Sequence, residues 1–427
     1  MGYNNIKTPN IDKLAEDGIF FKHAISPGSY TFLSFPSILT SRYPSEYFAF
    51  QKKARTFVDF LKEYGYKTVS FNSNPHARGS LDKDFDFFDD LLRYSEFDRP
   101  FEKLKRRVEK KIGRSYIIKK FRKLLIHFSS DIAKPYADAE KMNEKASSWI
   151  RNNSSIPILF WIHYMDPHYP YYPPREFTQL SKKEIARLNR LCWINLRLTN
   201  KSNNKNHLSK EDINNIIKLY DGEIAYVDYY IGQFINNLKD MNIYDDSLIF
   251  LLSDHGDMFG EHGKFSHGEY NLYNGQLQVP LIIKGLDEKK KKFNHYVTTM
   301  DLASTLIDSL GLESSTFNTY DLIKNRREYI ISEGFKPLNA LSGKNIDFNK
   351  INLCCFCNNW KLIENSIEDK KELYNLKKDK DENYNLIENE SEIASYLSNI
   401  IRKHKQEIFK TKELRKNIQQ RVKRIKI

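Results

Sequence analysis

Apolar positions along the chain follow two periods that take turns. In "TPNIDKLAEDGIFF" (8–21) a turn at Thr8 and Pro9 precedes Ile11, Leu14 and Ala15 at helical spacing, and an apolar strand follows. "TFVDFLKEYGYKTVSFNSNP" (56–75) repeats the unit, with Phe57, Phe60 and Leu61 on one helical face, Gly65 as the stop and KTVSF as the strand. "IPILFWIHYMDPHYPYYPP" (156–174) is a continuous apolar run closed by a proline-rich loop, and "EIAYVDYYIGQFINNLKDMNIYDDSLIFLLSDHGD" (223–257) is a long helix leading into a fully buried strand. This alternation predicts an α/β fold with a mostly parallel central sheet and helices on both faces. Polar residues gather just after two strands, at 163–168 and 254–267, where open α/β sheets bind ligands. The site is therefore expected at the C-terminal edge of the sheet.

Past residue 326 the pattern shortens to "REYIISEGF", "INLCCFCNNWKLIEN" and the turn-rich "ELYNLKKDKDENYNL", which predict a small antiparallel C-terminal subdomain followed by helix. The division that results is an α/β domain over 1–325, a small subdomain over 326–400 and a basic helical tail over 401–427. The charged, glycine-poor stretches at about 95–150 and 175–215 read as helical insertions or a cap.

Composition adds a charge question. The net charge of +13 is concentrated in "FEKLKRRVEKKIGRSYIIKKFRKLL" (101–125) and in the tail, so nucleic acid, an anionic membrane surface and an acidic polymer are candidate partners beside plain solvated helix faces. No dedicated nucleic-acid motif accompanies them. The four cysteines give no paired CxxC framework; Cys354, Cys355 and Cys357 crowd into "LCCFC", which predicts buried structural thiols, as does Cys192. No apolar run approaches the roughly 18 residues of a membrane span and no signal peptide opens the chain, so the expected location is cytoplasmic if Met1 is the true start.

The segment richest in chemistry is "LLSDHGDMFGEHGKFSHGEY" (251–270). A strand delivers Asp254 and His255 to a glycine-rich loop that holds His262, Lys264 and His267. Carboxylate and imidazole together suit a divalent ion such as Zn or Mn. In "IHYMDPHYPYYPP" His163 ends a strand and His168 sits among prolines, placed to meet an anion, a metal or a leaving group, whereas Asp166 reads as a turn residue.

Taken in order, "KTPNIDKLAEDGIFFKHA", "FPSILTSRYPSEY", "HYMDPHYPYYPP", "YDGEIAYVDYYIGQFI", "SDHGDMFGEHG", "YNGQLQVPLIIKG" and "TTMDLASTLIDSLG" make the chain resemble the sulfatase branch of the alkaline phosphatase superfamily along nearly its whole length. Counting back from "LTSRYP", the resemblance puts Thr31 at the nucleophile position and Ser34 on a conserved loop serine. Formylglycine is made from Cys or Ser at the head of a CxPxR-type motif; "TFLSF" has Thr at that position and lacks the Pro and Arg, so no formylglycine is expected. The resemblance implies metal binding by Thr31, Asp254 and His255, with Zn, Mn or Ca as the ion; catalysis by Thr31 and His168; and binding of an anionic ester, on a glycan among other carriers, by His163, Lys264 and His267. His267 stands where typical sulfatases carry a substrate-binding Lys, and phosphoethanolamine-transferase relatives have His there.

The family pattern opens with a strand ending in one or two metal-binding Asp residues, and this sequence begins after it; Asp12, inside "NIDKLA", does not stand in. A late start codon, a disrupted gene and a noncatalytic descendant are the three explanations. The reading is a hydrolase of sulfate or phosphate esters. Its rivals are a phospho-head-group transferase to a glycan or lipid, and an inactive binding protein.

Overall fold

The computed structural model describes residues 3, 5–49, 54–74, 83–91, 134, 136–153, 157–199, 208–288, 292–317, 320–337 and 346–425. In chain order the elements used below are α1 (Pro9–Asp17), β1 (Ile19–Ile25), α2 (Thr31–Thr40), α3 (Pro44–Ala49), α4 (Phe57–Glu63), β2 (Lys67–Asn72), β3 (Phe87–Asp89), α5 (Ala139–Arg151), β4 (Ile158–His163), α6 (Lys182–Thr199), α7 (Lys210–Asp240) and β5 (Ile249–Leu252). They continue with β6 (Met258–Phe259), β7 (Phe265–Ser266), β8 (Gln278–Val279), β9 (Leu281–Lys284), β10 (Lys292–Thr298), α8 (Leu302–Ser309), β11 (Ile330–Gly334), β12 (Asn352–Cys357), β13 (Trp360–Asn365), β14 (Lys370–Asn375) and α9 (Ser391–Ile425).

Local chemistry sets several of these boundaries. Pro9 opens α1, where its missing N–H costs nothing. Thr56 and Asp59 close a reciprocal capping box on α4, and Asp138 caps α5 through the Lys141 amide.

The fold is α/β, as the alternating pattern predicts. One sheet runs β10-β1-β9-β5, with β10 parallel to β1 and β9 antiparallel to both β1 and β5; a second, β3-β2-β4, is wholly parallel. Helices α2, α4 and α8 cover one face, where Phe57, Phe60, Leu302 and Leu306 meet Trp161 and Phe250. Helices α1, α5 and α7 cover the other. The antiparallel sheet β11-β12-β13-β14 packs under α9. All four cysteines are free and buried, three of them in β12, as the "LCCFC" pattern indicates. No helix among the described residues is long and apolar enough to cross a membrane.

Three expectations are amended. Helix α5, within the 95–150 stretch, buries Met142 and Ala146 against β2 and β4 and Ala139 against α7, so it is a covering layer of the sheet; the basic run 101–125 lies outside the described residues. The boundary drawn at 400 falls inside α9, which runs unbroken from the packed subdomain into the tail. Strand β5, expected to be fully buried, is half-buried at every residue, and so is β4. The cause is pairing: β4 bonds only β2 and β5 bonds only β9, leaving one edge of each without a strand partner among the described residues. Side chains still bridge the two. Leu159 and Trp161 share one cluster with Phe250 and Leu252, and Phe160 shares another with Ile249 and Leu251.

Candidate active site

Strand β1 delivers the chain through Ser26–Tyr30 to Thr31, the first residue of α2. The approach is close. A Cβ on Gly28 would lie 2.4 Å from Leu33 Cβ and 2.7 Å from the Ser34 nitrogen, so only glycine lets the loop fold onto the helix it starts. The Ser29 N–H donates to the Glu333 carbonyl at 3.2 Å, and the Glu333 N–H to the Pro27 carbonyl at 3.0 Å, anchoring this loop to the C-terminal sheet. Thr31 does not act as a helix cap; the capping position is Tyr30 and no side chain bonds there. Its hydroxyl instead lies 3.1 Å from His255 Nε2.

Three imidazoles share one arrangement. His255 Nδ1 is 2.9 Å from the Gly256 carbonyl, His168 Nδ1 is 2.6 Å from the Tyr169 carbonyl, and His267 Nδ1 is 2.7 Å from Asp257 Oδ1. Each neighbour is an acceptor, so each Nδ1 carries the proton and each Nε2 presents a lone pair. The rings stand together, His267 at 4.4 Å from His255 and 5.3 Å from His168 between centroids. His163, at the end of β4, stacks on Phe35 at 5.2 Å, and its buried Nδ1 has no hydrogen-bond partner. Burial lowers the pKa of both His163 and His168.

Asp254 accepts the His255 N–H on Oδ1 at 3.0 Å, while Oδ2 is buried without a hydrogen-bond partner, 3.7 Å from His255 Nε2. Burial alone would raise its pKa, but the surrounding imidazoles, His255 first and then His163, hold it below the ordinary value.

The structure thus gathers Thr31, His163, His168, Asp254, His255 and His267. Lys264 lies in the turn of the β6–β7 hairpin, half-buried. His262 serves locally, stacked 3.8 Å over Tyr273 with Nε2 3.2 Å from the Asp381 carbonyl.

Two residues that the sequence reading passed over complete the site. Asp257 holds His267 and is approached by the Tyr171 hydroxyl at 3.4 Å; although its side chain is largely buried it stays ionised well below the usual carboxylate range, because His267 faces it. Its signal was available, a second carboxylate in the same loop ten positions before His267. Gln276, fully buried, donates to the Ser29 carbonyl and, at 2.9 Å, to the Gly268 carbonyl, tying the loop before Thr31 to the loop after His267.

The donor set fits a divalent cation. An orphaned carboxylate oxygen beside an imidazole Nε2 and a hydroxyl, with the imidazole oriented through its other nitrogen, is the arrangement a bound ion requires. His255, Asp257 and His267 also place one donor atom each within 4.8 Å of one another. Asp257 is the weaker ligand candidate, since Oδ1 already accepts the His267 proton.

Comparison with known proteins agrees with this architecture. The family model described as Sulfatase matches residues 1–312. A sulfatase of Formosa agariphila is 25% identical over 378 residues, covering 80% of this chain and 72% of that protein, whereas the chain spans less than half the length of two other curated relatives. Among solved structures, one determined in complex with its substrate D-glucosamine-2-N,6-O-disulfate superposes with a TM-score of 0.68 at 18% identity, covering 96% of this chain and 94% of that one. The phosphonate monoester hydrolase of Silicibacter pomeroyi gives a TM-score of 0.67 at 18% identity over 95% and 91%.

Proposed function

The chain belongs to the sulfatase family, and on that premise we propose that it is a metal-dependent hydrolase of phosphate or sulfate esters with Thr31 as its nucleophile. The observation that carries the reading is the 3.1 Å approach of Thr31 Oγ1 to a His255 Nε2 whose lone pair is fixed by the Gly256 carbonyl on the opposite nitrogen. A divalent ion, Zn, Mn or Ca, held by Asp254 and His255 beside Thr31 would lower the pKa of the hydroxyl and offset the charge of the ester.

The chain's own groups supply the rest. The N-terminus of α2 adds partial positive charge where Thr31 meets the anion. His168 and His267 present Nε2 atoms to the ester oxygens, with His163 behind them. In the first step neutral His168 takes the Thr31 proton on Nε2 as Oγ1 bonds to the central atom and the bond to the alcohol oxygen breaks, and it hands that proton to the departing oxygen. In the second, His168 takes a proton from the water that opens the threonine ester and returns it to Oγ1. An alkoxide nucleophile without formylglycine favours phosphate esters as the first substrates to try.

The test is turnover of aryl phosphate, aryl phosphodiester and aryl sulfate with Mn or Zn by the purified chain and by Thr31→Ala. Metal-dependent release of the aryl alcohol that Thr31→Ala loses supports the reading. Absence of turnover on all three while metal binds sinks it, and phosphoryl appearing on an added alcohol instead of as free phosphate turns the assignment to a transferase.

A further inference from the structure

One buried ammonium holds the His168 loop from both sides. Lys134, only 8% exposed, donates to Asp166 Oδ1 at 2.7 Å and to Glu223 Oε2 at 2.9 Å. Each carboxylate spends its other oxygen on backbone: Asp166 Oδ2 accepts the Ala139 N–H at 2.9 Å, and Glu223 Oε1 accepts the Tyr172 N–H. Two residues past the lysine, the buried Tyr136 hydroxyl lies against the His168 carbonyl and is 3.2 Å from that of Pro170. The loop is therefore gripped at 166, 168, 170 and 172, every second residue, from one short segment and one helix. Asp166 is part of this grip and more than the turn residue it reads as in sequence.

Packing does not require such a device. A buried ion triad recovers little more than its own desolvation cost, and apolar side chains of the same volume would fill the space as well. What it provides is direction, because an ammonium with two carboxylates fixes both partners within hydrogen-bond geometry.

We propose that Lys134 is a positioning residue for His168: through Asp166 and Glu223 it fixes the loop so that the Nδ1–H stays on the Tyr169 carbonyl and Nε2 faces His267 and the substrate. The proposal rests on the reading of His168 as a group that meets the ester. Removing the lysine leaves the loop in place but its imidazole disordered, which costs orientation, a factor of about 10 to 100 in turnover.

The experiment uses the full chain as wild type, Lys134→Met, Glu223→Gln, His168→Ala and the double variant Lys134→Met/His168→Ala. Lys134→Met should lower kcat/KM on aryl phosphate by about 10- to 100-fold, and the double variant should be no worse than His168→Ala. A nitrogen-15 imidazole spectrum, with His168 assigned by its loss in His168→Ala, should show a protected Nδ1 proton in wild type and lose it in Lys134→Met. Losses that multiply in the double variant, or an unchanged His168 signal with only a lower Tm, overturn the proposal. If Lys134→Met does not fold, the near-isosteric Glu223→Gln carries the same two readouts. If no form turns over any ester, the functional reading fails while the imidazole spectrum still decides the positioning role.

Discussion

Four hydroxyls lie on α2, and three bond back into the helix: Ser34 to the Tyr30 carbonyl at 3.2 Å, Ser37 to Leu33 at 3.0 Å and Thr40 to Pro36 at 2.7 Å. Thr31 alone faces an imidazole. Replacing it by alanine should remove at least about 1,000-fold of kcat/KM with thermal stability nearly unchanged, and serine should keep a measurable rate, as steady-state kinetics on aryl phosphate would show. Asp257 invites a subtler test. Asn in its place retains the shape but offers His267 no carboxylate, so kcat/KM should fall about 10- to 100-fold, and an unchanged value would mean that His267 is oriented by its packing alone. The residue types of this site were legible because imidazoles and carboxylates cluster after strands. Asp257 was passed over because its role depends on which way one carboxylate points, and Lys134 because its partners lie 32 and 89 positions away.

Elements were legible where a periodicity meets a stop signal, as with Gly65 after α4 or the turn after β12. What the pattern did not reveal is which strands pair, since an apolar run such as "LIFLL" has the same sequence whether one edge or two are bonded. The interior of α7 carries a further consequence. Burial, outweighing the attraction of Lys134, pushes the Glu223 carboxyl up, so the ion triad takes up a proton at higher pH than the unfolded chain does and is fully ionised only on the alkaline side. With more protons bound in the native state, this group's contribution to stability is complete below about pH 4.5 and is lost as pH rises toward about 8, after which it is flat. Denaturant unfolding of wild type and Glu223→Gln across pH 4 to 9 should show that decline in the wild type and a flatter curve in the variant, because the amide has no proton to lose; matching curves would place the ionisation elsewhere.

At the scale of the molecule, two sheets share cores on both faces, yet among the described residues they do not bond to each other. Strands β4 and β5 run the same way, since their C-terminal ends bring His163 and Asp254 within electrostatic reach, and among the described residues each has one edge without a strand partner, with apolar residues that are only half-buried. Backbone N–H and C=O groups left open beside apolar side chains are satisfied together by one kind of occupant, another extended strand. The Tyr3 hydroxyl donates to Asp221 at 2.8 Å, two residues from the Glu223 that holds the loop after β4. A six-residue β-branched strand fused ahead of Met1 through a short flexible linker should therefore enter between β4 and β5. Burying a few side chains on each face is worth on the order of several kcal/mol, so the fused protein should melt several degrees higher, and the amides of 158–163 and 249–252 should gain protection from hydrogen exchange. A polar strand of equal length should do neither. Equal exchange at those amides with and without the apolar strand would show that the two edges do not form one slot, and that the half-burial of β4 and β5 is a settled feature of this fold.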